Sequence, residues 1–181
     1  MNSILNFNKD LVFYFKKILK TFFFKPRFIR FFLKTLKNQK KAYQIRKKLI
    51  SKNFLIPPII IYSITKQCNL NCTGCYSKNL FQKKGDDLNE KEMSKLVKEA
   101  TSLGISIFLI GGGEPFIKKE LLKIIKDNHN VLFVVFTNGY LLNDENIQKI
   151  KKLKNLVIVL SLEGDELSTD NRRGGGCFEI V

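Results

Sequence analysis

From residue 53 onward the chain alternates between two kinds of segment. Four short runs are almost wholly apolar: residues 59–64, 105–113, 131–139 and 156–164. The first is β-branched, and the other three end in glycine or polar residues. Near-continuous apolar strands of this length suit a parallel sheet covered on its outer face by helices. Between them the apolar positions recur at helical spacing. Asn89 and Glu92 form a capping-box pair, followed by a stripe of Met93, Leu96, Val97, Ala100 and Leu103 that stops at Gly104. Ile117, Leu121, Ile124 and Ile125 predict a second helix. Asn143 predicts the cap of a third, with Ile147, Ile150 and Leu153 on its inner side. The order β-α-β-α-β-α-β predicts an α/β fold of four parallel strands with right-handed crossovers.

The first 52 residues have a different pattern. Over residues 8–24, Leu11, Phe15, Ile18, Leu19 and Phe22 fall on one side of a helix. Lys9, Lys16, Lys17 and Lys20 fall on the other, with Phe13, Phe23 and Phe24 intruding. Pro26 interrupts this helix, and a second basic helix is predicted from Arg27 to Leu49. Pro57 and Pro58 close the helical region. The chain therefore divides into a basic helical extension, residues 1–52, and a core domain, residues 53–181.

Charge follows the same division. The whole chain carries +16, which would suggest a nucleic-acid binder if it were evenly spread. Residues 1–52 hold 15 Lys and Arg and the single acid Asp10, whereas residues 53–181 are nearly balanced. Three partners compete for the extension. An anionic membrane surface suits aromatic-rich amphipathic helices with lysine flanks. Docking on the protein itself would bury the apolar faces. Nucleic acid is disfavoured, because the phenylalanine load exceeds what an electrostatic binder needs.

No uncharged run in the chain is long enough to span a bilayer. Lysines interrupt the N-terminal region too often for a signal peptide. The expected compartment is the cytoplasm, with a peripheral place at the inner face of the membrane if the extension binds lipid.

Three of the four cysteines lie within eight positions, as Cys68-x3-Cys72-x2-Cys75, just past the first strand. Disulfides fit poorly, since three thiols leave one unpaired. Structural zinc usually takes four ligands, often as two separated pairs. A thioredoxin-like site needs only one C-x-x-C and has no use for Cys68. Three close thiolates can hold three irons of a 4Fe–4S cluster and leave the fourth iron open to a substrate or cofactor.

The segment from Thr65 to Cys75 resembles the cluster motif of the radical S-adenosylmethionine (radical SAM) superfamily. The resemblance continues along the chain. The "GGEP" of residues 112–115, the "TNG" of 137–139, the "SLEG" of 161–164 and the "RRGGG" within 169–179 are each similar to a segment that ends or follows a strand in that family. The basic leader also resembles that of one subgroup.

The resemblance implies a partial (β/α) radical SAM barrel, TIM-barrel-like, of about four parallel strands preceded by basic amphipathic helices. Its cofactors would be a 4Fe–4S cluster on Cys68, Cys72 and Cys75 and S-adenosylmethionine at the open iron. Gly112, Gly113 and Glu114 would bind the methionine end, with glycines giving close approach and Glu114 accepting from the ammonium. Ser161, Glu163 and Arg173 are further cofactor-binding candidates. Tyr76 takes the adenine-side role, because Gly74 stands where many members have an aromatic residue. No catalytic side chain beyond the cluster is expected. An external electron donor is implied, and the substrate is not specified.

The family barrel has six strands, so the chain reads as truncated after the fourth: a catalytically weak fragment, or a cluster-binding subunit that needs a partner. Among the remaining residues, Cys177 reads as a buried thiol and His129 as a surface residue. Arg172 reads as a solvated charge or a carboxylate ligand. The stretch 86–92, "DDLNEKE", reads as an exposed helix entry without a chemical role.

Overall fold

The computed structural model describes residues 26–80 and 87–181. The helix expected over residues 8–24 lies outside the described residues. The described residues divide into two units after residue 37, and the larger one spans residues 38–181.

The basic helix predicted from Arg27 to Leu49 forms as α1, Pro26–Ile50. Proline at the first helical position costs nothing, because its missing N–H would have had no intrahelical acceptor. From Asn38 onward, α1 belongs to the larger unit. There the Gln39 amide exchanges hydrogen bonds with Ser106, Arg46 donates to the Gly104 carbonyl, and Ala42 is buried.

In the larger unit, β1 (Ile59–Thr65), β2 (Ile107–Gly112), β3 (Leu132–Thr137) and β4 (Leu156–Leu160) form one sheet in the order β1-β2-β3-β4. All three pairings are parallel. Side chains alternate across a strand, so Phe108 and Ile110 of β2 and Phe133 and Val135 of β3 share one face. All four are buried, with the Phe108 and Phe133 rings 5.4 Å apart between centroids. This face is covered by α3 (Glu90–Ser102) and α4 (Leu121–Asp127), whose Met93, Val97, Leu121, Ile124 and Ile125 complete the core.

The opposite face carries Ile61, Phe136 and Val157, which are exposed. The four described strands therefore make an open sheet with one covered face, the α/β class read from the sequence.

Local signals placed most of the helices well. Asn89 accepts the Lys91 and Glu92 N–H groups while the Glu92 carboxylate accepts the Asn89 N–H, a complete capping box. A cap of this kind stabilises a helix by about 1 kcal/mol. Asn143 caps α5 (Asp144–Lys152) by accepting from Asn146 N–H.

One element departs from expectation. Ile117 does not belong to the second helix but to a separate 3-10 turn, Pro115–Ile117, and α4 starts only at Leu121. The turn is nucleated by the Glu114 carboxylate. It caps the start of the short turn through Phe116 N–H, and the extended backbone of Lys118 (φ −78°, ψ 98°) then separates that turn from the helix that follows.

Beyond β4, α6 (Glu166–Arg173) runs into Gly174, whose φ of +120° ends it. The chain closes with α7, Cys177–Ile180. No helix among the described residues is long and apolar enough to cross a membrane.

Candidate functional site

Every motif read from the sequence meets at the C-terminal ends of the strands, where parallel α/β sheets place their ligands. The site begins at a bulge. Ser63 pairs with Gly111 but Thr65 pairs with Gly112, so β1 gains one residue on β2 as it leaves the sheet. A bulge re-aims the residues beyond it. Here Thr65 is buried, and its hydroxyl donates to Asp87 Oδ2 at 2.6 Å while accepting the Gln67 N–H at 3.1 Å. Asp87 also accepts the Lys66 N–H at 3.1 Å and lies 3.3 Å from Lys118 Nζ. Burial works to raise the Asp87 carboxyl, but the Thr65, Lys66 and Lys118 contacts outweigh it and hold the group below its ordinary value. Stretch 86–92 was expected to have no chemical role. Asp87 corrects that reading: it anchors the start of the cysteine loop.

The glycines at and just beyond the end of β2 hold the other side of the loop. Gly113 N–H donates to the Thr65 carbonyl and Glu114 N–H to the Gln67 carbonyl, both at 2.8 Å. A β-carbon on Gly113 would lie 2.0 Å from Gln67 O, and one on Gly112 would lie 2.5 Å from Thr65 O. The absence of side chains at these positions thus lets the cysteine loop itself close on the strand.

Glu114 then ties the loop to β3. It is buried, and Oε1 accepts from the Thr137 hydroxyl at 2.8 Å and the Phe116 N–H at 3.1 Å. Its Oε2 accepts the Asn138 N–H at 2.9 Å. The Asn138 amide group reaches back, donating to Asn69 Oδ1 at 2.9 Å and lying 4.0 Å from Cys68 Sγ.

The third support comes from the chain's last turns. Thr73 N–H donates to the Arg172 carbonyl at 2.8 Å. Arg172 and Arg173 both meet Glu163 Oε1, at 2.6 and 2.5 Å. The Arg172 guanidinium first, and Arg173 with it, hold the Glu163 carboxyl below its ordinary value. Glu163 therefore orients two arginine forks, a role its strand-end position alone did not reveal.

These supports enclose a cavity of about 210 Å³. Cys68, Cys72 and Cys75 line it together with Tyr76 and the 111–114 strand end. Thr137 and Asn138, Ser161, and Arg172 and Arg173 line its far side. Gly74, with φ of +68°, makes a left-handed turn that few other residues adopt, which accounts for glycine where an aromatic was expected. Tyr76 opens the short helix α2 (Tyr76–Leu80) with its ring largely exposed, and its hydroxyl faces Gly111 across the cavity wall.

All three thiols are free. Among the described residues no three His, Cys, Asp or Glu side chains are grouped to hold one metal ion. Cys68, Cys72 and Cys75 all face one cavity. Three thiolates on one cavity suit a polynuclear iron–sulfur cluster, whose irons each take one cysteine sulfur besides the bridging sulfides. Desolvation pushes the Cys68 thiol up, offset in part by the Leu70 N–H that donates to its sulfur.

Cys177 lies away from this cavity, buried and 3.2 Å from the Tyr140 hydroxyl. His129 is exposed. Both match the sequence reading.

The Radical SAM superfamily profile matches residues 62–181, which include every element of this site. The chain belongs to the radical SAM superfamily. That superfamily uses a 4Fe–4S cluster and S-adenosylmethionine. Two similar curated proteins come from Methanosarcina barkeri. An Fe-coproporphyrin III synthase is 29% identical over 127 residues, which cover 68% of this chain and 32% of that protein. An AdoMet-dependent heme synthase is 30% identical over 127 residues, covering 68% of this chain and 36% of that protein. The match thus spans about a third of the length of these relatives, which are enzymes. Streptococcus suis SuiB bound to S-adenosylmethionine shares the fold, with TM-score 0.61 and 21% identity over 73% of this chain and 32% of that chain.

Proposed function

We propose that Cys68, Cys72 and Cys75 hold a 4Fe–4S cluster and that S-adenosylmethionine binds beside it in the 210 Å³ cavity. The observation that carries this reading is the convergence of three thiols, the 111–114 strand end and two arginine forks on one cavity. When bound, the cluster would supply the electron for reductive cleavage of the S-adenosylmethionine sulfonium.

The chain's own residues position and shield. Asp87, Gly113 and Asn138 fix the cysteine loop at its start, middle and cavity side. Glu114 spends three acceptor sites on Phe116, Thr137 and Asn138. A carboxylate offers about four, so one remains for the methionine ammonium. The methionine carboxylate would meet Arg173, whose planar fork Glu163 already holds oriented. Ser161 and Tyr76 would border the adenosyl portion, and the substrate stays unspecified.

A second reading is favoured by the open sheet. Phe136, Val157 and Leu160 are exposed on or beside β4, so the adenosyl portion would be poorly shielded on that side. Misplacement of reacting atoms by about 1 Å can cost on the order of a hundredfold in rate. In this reading the chain binds the cluster but cleaves S-adenosylmethionine slowly by itself.

Both readings are tested by 5′-deoxyadenosine formation under dithionite with anaerobically reconstituted protein. Cleavage that is lost in Cys72→Ala supports the first. Cluster without appreciable cleavage, restored by a second chain that covers β4, supports the second. Cleavage that persists without the cysteines would overturn both.

A further inference from the structure

Helix α1 presents a second surface that the cavity does not use. Ile29 (38% exposed), Phe32 (38%), Leu33 (59%) and Leu36 (49%) follow the i, i+3, i+4, i+7 spacing and so share one face. Arg30, Lys34 and Lys37 run along one flank of that face. The helix contains nine Lys and Arg and no Asp or Glu, so its charges have no acidic partner within it. None of the ion pairs among the described residues includes a residue of α1.

We infer that this face docks on an anionic lipid surface. The two features select the partner together. An exposed stripe of Ile, Phe and Leu seeks an apolar medium, and an all-basic flank seeks dense negative charge. A bilayer containing anionic lipid offers both within one interface, with the helix lying in its plane. Nucleic acid offers the charge without the apolar medium, and leaves Leu33 and Leu36 in water. Each basic residue brought near such a surface favours binding on the order of fivefold, and salt weakens that part. The helix does not cross the bilayer, being too polar for that. The inference is independent of the cluster assignment, since none of these residues lines the cavity.

The test is co-sedimentation of the full chain with vesicles of phosphatidylcholine containing about a quarter phosphatidylserine, against phosphatidylcholine alone. Binding is expected to the anionic vesicles, weakened by salt. It should fall roughly tenfold or more in Leu33→Glu/Leu36→Glu and again in Arg30→Gln/Lys34→Gln/Lys37→Gln. Arg30, Leu33, Leu36 and Lys37 are exposed and Lys34 is half-buried, and far-ultraviolet circular dichroism reports that the fold is intact in each variant. Equal binding to neutral vesicles, or unchanged binding in either variant, would overturn the inference. So would RNA binding that survives Leu33→Glu/Leu36→Glu in a chain that ignores vesicles. Self-association through Leu33 and Leu36 without vesicle binding would also overturn it, by showing the face to be an interface between copies.

Discussion

The buried carboxylate of Glu114 accepts the backbone N–H of Asn138 at 2.9 Å, joining the end of β2 to the end of β3. Asn138 in turn reaches Asn69 and the sulfur of Cys68, so one carboxylate sets the position of the cysteine loop through a neighbour. Removing that carboxylate strands three donors: the Thr137 hydroxyl and the N–H groups of Phe116 and Asn138. Glu114→Ala should destabilise the fold by about 3 kcal/mol, because each buried donor left unpaired costs roughly 1–3 kcal/mol and water can relieve part of it. Glu114→Gln keeps one oxygen and should cost less. Urea unfolding of the two variants beside the parent chain measures both effects.

Gly113→Ala separates loop position from core stability. Its β-carbon would meet the Gln67 carbonyl at 2.0 Å, a contact the backbone must move to relieve. The hydrophobic core lies on the helix-covered face of the sheet, so secondary structure should persist. Iron retained after anaerobic reconstitution should fall well below the parent level while the far-ultraviolet circular dichroism stays unchanged. Iron retained at the parent level would show that the loop does not need this close approach.

The arginine clamp is sensitive to acid. The Glu163 carboxyl, ordinarily at 4.5, is lowered in the folded chain by Arg172 and Arg173. A lowered folded value means that the pair's contribution to stability is present above the unfolded value and is lost as pH falls through the folded one. The stability difference between the parent and Glu163→Gln should therefore be constant from neutral pH down to about 5, and shrink below that. Urea titrations across that range measure it. A difference that grows as pH falls would contradict the pairing.

How much of this was legible in the sequence depends on whether a signal is local. Apolar runs marked all four strands, and Asn89 and Asn143 marked two helix starts, because strand and cap preferences act within a few residues. The cysteines and "GGEP" were visible for the same reason. The supports of the site were not. Asp87 lies 22 positions from Thr65, and Asn138 lies 69 positions from its partner Asn69. Neither spacing has a periodic signature, and an aspartate before a helix normally reads as a solvated entry. The hydrogen-bonding groups of "TNG" offered the nearest hint, since Thr and Asn at a strand end carry donors that a buried site must satisfy. Ile117 was misplaced because its apolar spacing suits a helix, whereas the backbone turns extended at Lys118 and ends a separate turn there.

The most direct measurement is the iron and acid-labile sulfide content of anaerobically reconstituted protein, compared with cysteine variants. About four irons and four sulfides per chain are expected from a cluster held by three thiolates. Cys68→Ala/Cys72→Ala/Cys75→Ala should abolish them. Cys177→Ala should leave them intact, since that thiol is buried against Tyr140 and away from the cavity. Tight binding of a single zinc ion with no cluster, or iron that survives loss of all three loop cysteines, would contradict the assignment.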